Sequence, residues 1–348
     1  MKKIPVGILG ATGMVGQKFV ELLSHHPWFE IILLSASPKS QNKTYQQATR
    51  WLLPTPPKRK IARIIVSDYS DTSNCVLLFS GLHNSVAGEI ETNRASQGYI
   101  VISNSSHHRM DPDIPLVIPE VNPSHLHLIT QQPFSKKGCL ITNPNCSVIG
   151  LTMALKPLLF LSEIEKVQIT TLQALSGAGY PGVSGLDIID NVIPNIPGEE
   201  SKLETEPLKI LGSYHEGVLR PYPIEISAHC TRVPVLDGHL ACVSVKFKDK
   251  VTQKQLLNHW KNFSGDPQKL KLPSAPRHPI IYFNHDDYPQ PRLHRHLGRG
   301  MSISIGRLRP CNVLDWKFVI LLHNTIRGAV GSAVLNAELL IKQKLIEN

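Results

Sequence analysis

Aromatic residues make up only 6% of this 348-residue chain and do not interleave with its basic stretches. Stacking platforms for single-stranded nucleic acid are therefore not expected. No apolar run approaches the roughly 20 residues that a membrane span needs. The start Met1-Lys2-Lys3-Ile4-Pro5-Val6-Gly7 runs straight into strand and glycine, without the apolar stretch of a signal peptide. Neither membrane insertion nor secretion is expected. The six cysteines, Cys75, Cys139, Cys146, Cys230, Cys242 and Cys311, form no C-x-x-C pair and show no even spacing. That argues against a zinc ribbon and a disulfide framework; reduced thiols, a cytoplasmic setting and no resident metal are expected. No internal repeat is visible.

Apolar residues are plentiful. At 41% hydrophobic content over 348 residues, the chain buries a full core and is expected to divide into two domains. Its formal charge of +10 is concentrated in Arg292-Leu293-His294-Arg295-His296-Leu297-Gly298-Arg299. Such a stretch attracts polyanions, but it reads here as a solvated basic loop in a protein that handles small phosphorylated anions.

Ile4 to Leu9 reads as a buried strand, followed by a glycine turn and a helix from Val15 to Leu23 with apolar residues at helical spacing. Ile31 to Ser35 follows at the distance of a βαβ unit, and Cys75 to Ser80 and Tyr99 to Ser103 read as later buried strands. Strands alternating with helices predict a doubly wound parallel sheet. The stretch Pro38 to Lys60 reads as loop. Beyond Cys139 the strands lengthen, Val167 to Ala174 and the alternating Leu240 to Phe247, predicting an α+β second domain with a mixed sheet. Residues Ser264 to Arg299 are the least readable. Arg327 to Leu345 reads as a helix whose small residues Gly328, Ala329, Gly331, Ser332 and Ala333 suit close packing on the first domain.

Glycines at 10, 13 and 16 allow a tight turn, close approach to a pyrophosphate and packing of helix on strand. With Thr12, Met14 and Val15 they predict a dinucleotide cradle at a helix N-terminus, although the spacing is G-x-x-G-x-x-G rather than G-x-G-x-x-G. The second strand ends in Ser35-Ala36-Ser37-Pro38-Lys39 and lacks the acidic residue that binds a ribose 2′-OH. Ser35, Ser37 and Lys39 suit a 2′-phosphate, so NADP(H) is the expected cofactor.

Cys146, in Asn143-Pro144-Asn145-Cys146-Ser147-Val148, stands where a short strand turns into a helix. Helix-start N–H groups favour thiolate and are expected to hold an oxyanion formed beside it. His239, in the turn Asp237-Gly238-His239, and Arg232 are candidates for the acid/base and the cation such a nucleophile needs.

Together, the glycine turn, Asn143 to Leu151, Leu172 to Gly182 (with Ser176-Gly177-Ala178-Gly179-Tyr180-Pro181-Gly182), Glu204 to Gly212, Arg232 to His239 and His323 to Gly328 make the chain resemble the aspartate-β-semialdehyde dehydrogenases of the archaeal and fungal-like branch. The resemblance spans residues 4–340 in the family's order. It implies a Rossmann-like cofactor domain over 1–145, a catalytic and dimerisation domain over 146–324, and a final helix over 325–348 returning to the first. It makes Cys146 the nucleophile, His239 the acid/base and Gln173 the group that orients a thioester. Arg232 would take the substrate α-carboxylate, Glu206 its α-ammonium, and Lys209, Arg109 and Asn145 its phosphate. Ser80, Ser176, Gly177, Ala178, Gly179 and Asn324 would contact the cofactor. After Ser80 the chain has Gly81 and His83-Asn84 where the family more usually has Ala and Pro-Ser.

The implied activity is NADPH-dependent reductive dephosphorylation of L-4-aspartyl phosphate by a homodimer or homotetramer, with neither nucleic acid nor membrane as partner. An N-acetyl-glutamyl-phosphate reductase is the nearest alternative, and Glu206 speaks against it because an acetamide needs no anion. A non-catalytic Rossmann module that binds nucleotide or nucleic acid is the other. Each assigned residue also has a plain reading: Glu206 and Lys209 as a solvated i,i+3 pair, Asn324-Thr325 as a helix cap, Arg109 as a surface cation.

Overall fold

The protein is described by a computed structural model over residues 3–71, 75–134, 138–215 and 217–345. These residues form two compact units. The first comprises the chain up to Val117, His125–Asn143 and the residues from Ala333 on; the second comprises Ile118–Ser124 and Pro144–Ser332.

In the first unit, β1 (Ile4–Leu9), β2 (Phe29–Ser35), β3 (Leu77–Ser80), β4 (Ile100–Ser103) and β5 (Cys139–Thr142) form a parallel sheet in the order β2-β1-β3-β4-β5. The last three are buried along their whole length, as apolar strands of a sheet covered on both faces should be. Helix α1 (Met14–Leu23) follows β1 and buries Phe19, Val20 and Leu23; α2 (Asn84–Ser96) follows β3. Register aligns Ser35, Leu9, Ser80, Ser103 and Thr142 in one row at the carboxyl ends of the strands. The strand order reverses at β1/β3, the place where sheets of this kind bind ligands.

The stretch expected to be loop is more structured than its composition implies, with short helical turns at Pro38–Ser40, Tyr45–Ala48 and Arg59–Ala62. Tyr45 is buried, and its hydroxyl donates to Ala11 O over 2.9 Å. Buried Gln17 donates from Nε2 to Thr12 O and Arg50 O and accepts from Leu52 N. The segment is thus tied to the glycine turn by two side chains that no local pattern announces.

The second unit carries α3 (Cys146–Leu155), β6 (Ile164–Gln173), α4 (Glu199–Ile210), the hairpin β7 (Ser213–His215) and β8 (Val218–Arg220), β9 (Glu225–Arg232), β10 (His239–Phe247), α5 (Gln253–Asn262), β11 (Ile280–Phe283), β12 (Ile303–Pro310) and β13 (Trp316–Leu322). Its six-stranded mixed sheet runs β11-β12-β13-β10-β6-β9. β10 alternates strictly: Ala241, Val243, Val245 and Phe247 are buried, whereas Cys242 and Lys246 are exposed. Trp260 of α5 is fully buried on Phe318, with Nε1 donating to Ala154 O.

Ile118–Ser124 belongs to this unit although its flanks belong to the first. Glu120 anchors it through two charge-assisted bonds to Arg327, 2.9 and 2.6 Å long, with both side chains fully buried. Arg327 lies in a π-helical turn, Ile326–Val330, that precedes α6 (Gly331–Lys342). From Ala333 on, α6 belongs to the first unit, where Glu338 meets His26 Nε2 at 2.7 Å and Asn336 donates to Val117 O. Residues 346–348 of the predicted helix lie outside the described residues. Among the described residues no helix is long and apolar enough to cross a membrane.

Candidate active site

Cys146 is the first residue of α3, as its sequence setting predicts, and is only partly buried in a helix otherwise wholly buried. The helix start differs from expectation in one respect. Asn145 is the N-cap: its Oδ1 accepts from Ser147 N and Val148 N, and its backbone carbonyl accepts from Ile149 N. Of the N–H groups expected to hold an oxyanion, those of Ser147 and Val148 are taken by this cap. The Asn145 amide is engaged at its other end too, with Nδ2 donating to both oxygens of Glu199, and its backbone N–H donates to Glu206. Contact of that side chain with a substrate phosphate would have to displace one of these bonds.

Three strand ends bring the next group together. Gln173 ends β6 and is in register with Arg232, the end of β9; His239 opens β10 beside them, where Leu240 pairs with Leu172. All three side chains are buried. Arg232 donates to Ala174 O over 2.7 Å. Burial pushes its guanidinium below the usual value, and the charges of Cys146 and Glu199 pull it back up. His239 Nδ1 accepts from Ala174 N over 3.0 Å, so a neutral imidazole carries its proton on Nε2. That Nε2 has no partner among the described residues. Burial, with Arg232 beside it, pushes the His239 pKa down to about 3.

Gly177 borders both groups: a methyl there would come within 2.8 Å of Arg232 Nη1 and 3.0 Å of His239 Nε2. Only glycine leaves these two side chains open at that spot. Ser176 is half-buried, and Gly177, Ala178 and Gly179 are exposed. Asn324 fixes this loop, donating from Nδ2 to Ser176 Oγ and accepting at Oδ1 from Gly238 N, both over 2.8 Å. It does not cap the following turn, whose N-cap is Thr325 without a side-chain bond. Two of the small residues after it pack within the second unit, whereas Ala333 belongs to the first as expected. A Cβ at Gly328 would lie 2.6 Å from the Cys146 Cβ, so the π turn presses directly on Cys146, and Gly331 packs against Met301.

Glu206 and Lys209 share a face of α4 and are buried, 2% and 5% exposed, which removes the solvated-pair reading. Arg109, in the first unit, is likewise buried rather than a surface cation, and donates to Asn104 O. In the basic segment His294 is buried and Arg295 donates to Asp237 O, next to the Gly238 turn. That stretch is therefore partly structural rather than a solvated loop.

In the first unit the glycine turn has the shape expected of a cradle. Gly10 sits at φ +74°, and a methyl there would lie 2.9 Å from Gly81 O. A methyl at Gly16 would run into Gly10 O and lie 2.6 Å from Ala11 Cα, whereas at Gly13 it would meet only Gly10 O, at 3.5 Å. Gly13 is exposed and caps α1 without a side-chain bond, leaving that helix start open to a ligand. Thr12, Met14 and Val15 flank it, half-buried. Ser37 and Lys39 are exposed. Ser35 and Ser80 are buried, 1% and 0% exposed; the Ser80 hydroxyl accepts from Leu82 N, whereas Ser35 Oγ has no hydrogen-bond partner among the described residues.

Glu199 and Gln17 escaped the sequence reading. Glu199 is one glutamate among five between positions 199 and 216, and nothing local marks it as buried.

Comparison with known proteins agrees with this geometry. Family models match residues 5–129 (semialdehyde dehydrogenase, NAD binding domain) and 155–327 (semialdehyde dehydrogenase, dimerisation domain). The chain is 45% identical to the aspartate-semialdehyde dehydrogenase of Archaeoglobus fulgidus, over 98% of this chain and 99% of that one. It is 44% identical to the enzyme of the same name from Schizosaccharomyces pombe, again over 98% and 99%. The crystal structure of Candida albicans aspartate semialdehyde dehydrogenase with NADP superposes with a TM-score of 0.91 at 40% identity, covering 99% of this chain and all of that one. The chain belongs to the aspartate-semialdehyde dehydrogenase family.

Proposed function

We propose that the chain catalyses the reversible NADPH-dependent reductive dephosphorylation of L-4-aspartyl phosphate to L-aspartate 4-semialdehyde and phosphate, a step toward lysine or diaminopimelate, threonine and methionine. The observation that carries this reading is the convergence of Arg232, Gln173 and buried, neutral His239 at three strand ends of the unit in which Cys146 opens a helix. Glu206 and Lys209 on the buried face of α4 supply the opposite charges that an amino-acid acyl phosphate needs. The alternatives are not favoured, because the similarity to aspartate-semialdehyde dehydrogenases runs the length of both chains.

Cys146 attacks the acyl carbon and expels phosphate, leaving a thioester. Arg232 holds the α-carboxylate, Glu206 the α-ammonium, and Lys209 with Arg109 and Asn145 the phosphate. Gln173 orients the thioester. With the N–H groups of Ser147 and Val148 spent on the cap, His239 Nε2–H is a further donor for each tetrahedral oxyanion beside the N–H of Cys146 itself. The dinucleotide would be held by Gly10, Thr12, Gly13, Met14 and Val15, with Ser37 and Lys39 at the 2′-phosphate and Ser176 to Gly179 and Asn324 at the nicotinamide. When bound, NADPH supplies the hydride that reduces the thioester.

Self-association as a homodimer or homotetramer goes with this reading. Leu186, Ile189 and Leu236 are 93%, 69% and 70% exposed in the second unit, an apolar surface of the kind a second copy covers. Six free thiols fit a cytoplasmic setting.

The test is a cofactor-and-substrate matrix. L-aspartate 4-semialdehyde should reduce NADP⁺ only when phosphate is present, and NADPH should bind far more tightly than NADH. Turnover confined to N-acetyl-glutamate semialdehyde, or salt-sensitive nucleic-acid binding without turnover, would overturn the reading.

A further inference from the structure

Glu199 is a buried carboxylate to which the reaction above gives no task. It opens α4 behind Gly198, which sits in the left-handed region and offers no side-chain cap. Donors from three places converge on it. Asn145 Nδ2, 54 residues away in sequence, reaches Oε1 at 3.0 Å and Oε2 at 2.8 Å. Gln173 Nε2, 26 residues away, reaches Oε2 at 3.3 Å, and Lys202 Nζ reaches Oε1 at 2.8 Å. Despite burial, these partners keep the carboxyl below its usual range, and Lys202 is the strongest of them.

An i,i+3 ion pair with Lys202 alone would leave the two amides unexplained. A side-chain amide has one donor end and one acceptor end, so a carboxylate that takes the donor end fixes the flip. Holding Asn145 Nδ2 leaves Oδ1 to cap Ser147 and Val148, and thereby sets the helix start on which Cys146 sits. Holding Gln173 Nε2 leaves its Oε1 as the end turned away from the carboxylate.

Resting on the reading that Cys146 is the nucleophile, we propose that Glu199 is a positioning residue of this active site: its carboxylate gathers the amides of Asn145 and Gln173 and fixes which end of each faces away from it. A glutamine at 199 matches the shape but puts an N–H₂ group against converging donors.

The test compares Glu199→Gln, Glu199→Asp, Gln173→Ala and the double variant Glu199→Gln/Gln173→Ala in the full-length enzyme. Glu199→Gln should lower kcat by about tenfold or more, leave the KM for NADP⁺ and the melting temperature unmoved, and be partly rescued by Glu199→Asp. The double variant should be little worse than the poorer single one, because the two residues act as a unit. A Glu199→Gln enzyme with kcat within about twofold of wild type would overturn the role. So would full additivity with Gln173→Ala, or a kcat loss that travels with lost thermal stability and weaker NADP⁺ binding. Cys146→Ala, run alongside, keeps the two failures apart. An active Cys146→Ala enzyme removes the nucleophile reading itself, whereas an inactive one beside an unaffected Glu199→Gln enzyme removes only the positioning role.

Discussion

The starts of α1 and α3 follow one another's pattern in sequence, each a short apolar strand turning into a helix, yet they are finished in opposite ways. α1 begins at an exposed glycine with no side-chain cap, whereas α3 begins at an asparagine whose amide accepts from the N–H groups of Ser147 and Val148 and is itself clamped by a carboxylate. The same unsatisfied donors and the same dipole are available in both. Where the cap is absent, the donors are open to a ligand. Where it is present, two of them are spent on holding the backbone beside Cys146.

The sharpest way to break this comparison is at the nucleophile. Cys146→Ala should cost at least about 10⁴-fold in kcat while leaving NADPH affinity, measured by fluorescence titration, unchanged; residual turnover within tenfold of wild type would remove the covalent role. Next come the glycines of the open start. Gly16→Ala must push the turn apart and should lose about 1–3 kcal/mol of stability along with cofactor binding. Gly13→Ala has room for its methyl, so its melting temperature should hold while the Kd for NADPH rises by about tenfold. Equal stability losses in the two variants would show that Gly13 is structural and not part of the cradle.

The capped start makes a subtler, pH-dependent claim. His239 has a folded-state pKa of about 3, below its unfolded value near 6.5. Between those values the unfolded chain binds the proton and the folded one does not, so the contribution of His239 to stability is lost as pH falls. The slope is about 1.4 kcal/mol per pH unit within that window. Urea unfolding of wild type against His239→Gln at pH 7.5 and pH 5 should show wild type losing the larger share at pH 5, and parallel losses would refute the buried neutral imidazole. The smallest expected effect is at the cap. Asn145→Ala should destabilise by about 1 kcal/mol, and Asn145→Ser, which still caps but no longer reaches Glu199, should recover stability better than activity.

Much of this was legible in the sequence because it is written in local patterns. The glycine spacing, the alternation of β10 and the Asn145-Cys146 junction each depend on residues within a few positions of one another. Gln17, Tyr45 and Glu199 were not legible, since their work is done across 33 to 54 residues of chain by side chains whose neighbourhood looks polar and ordinary. Of the small residues after Asn324, Ala333 joins the first unit as its sequence suggests, whereas Gly328 presses on Cys146, a neighbour no local pattern names.

The first unit takes its last helical segment from beyond Ala333, whose buried Glu338 meets His26. On the ribosome the nucleotide-binding sheet therefore emerges long before the segment that completes it. At ordinary elongation speeds the wait is on the order of ten to forty seconds, during which the apolar surface meant for α6 is a target for chaperones.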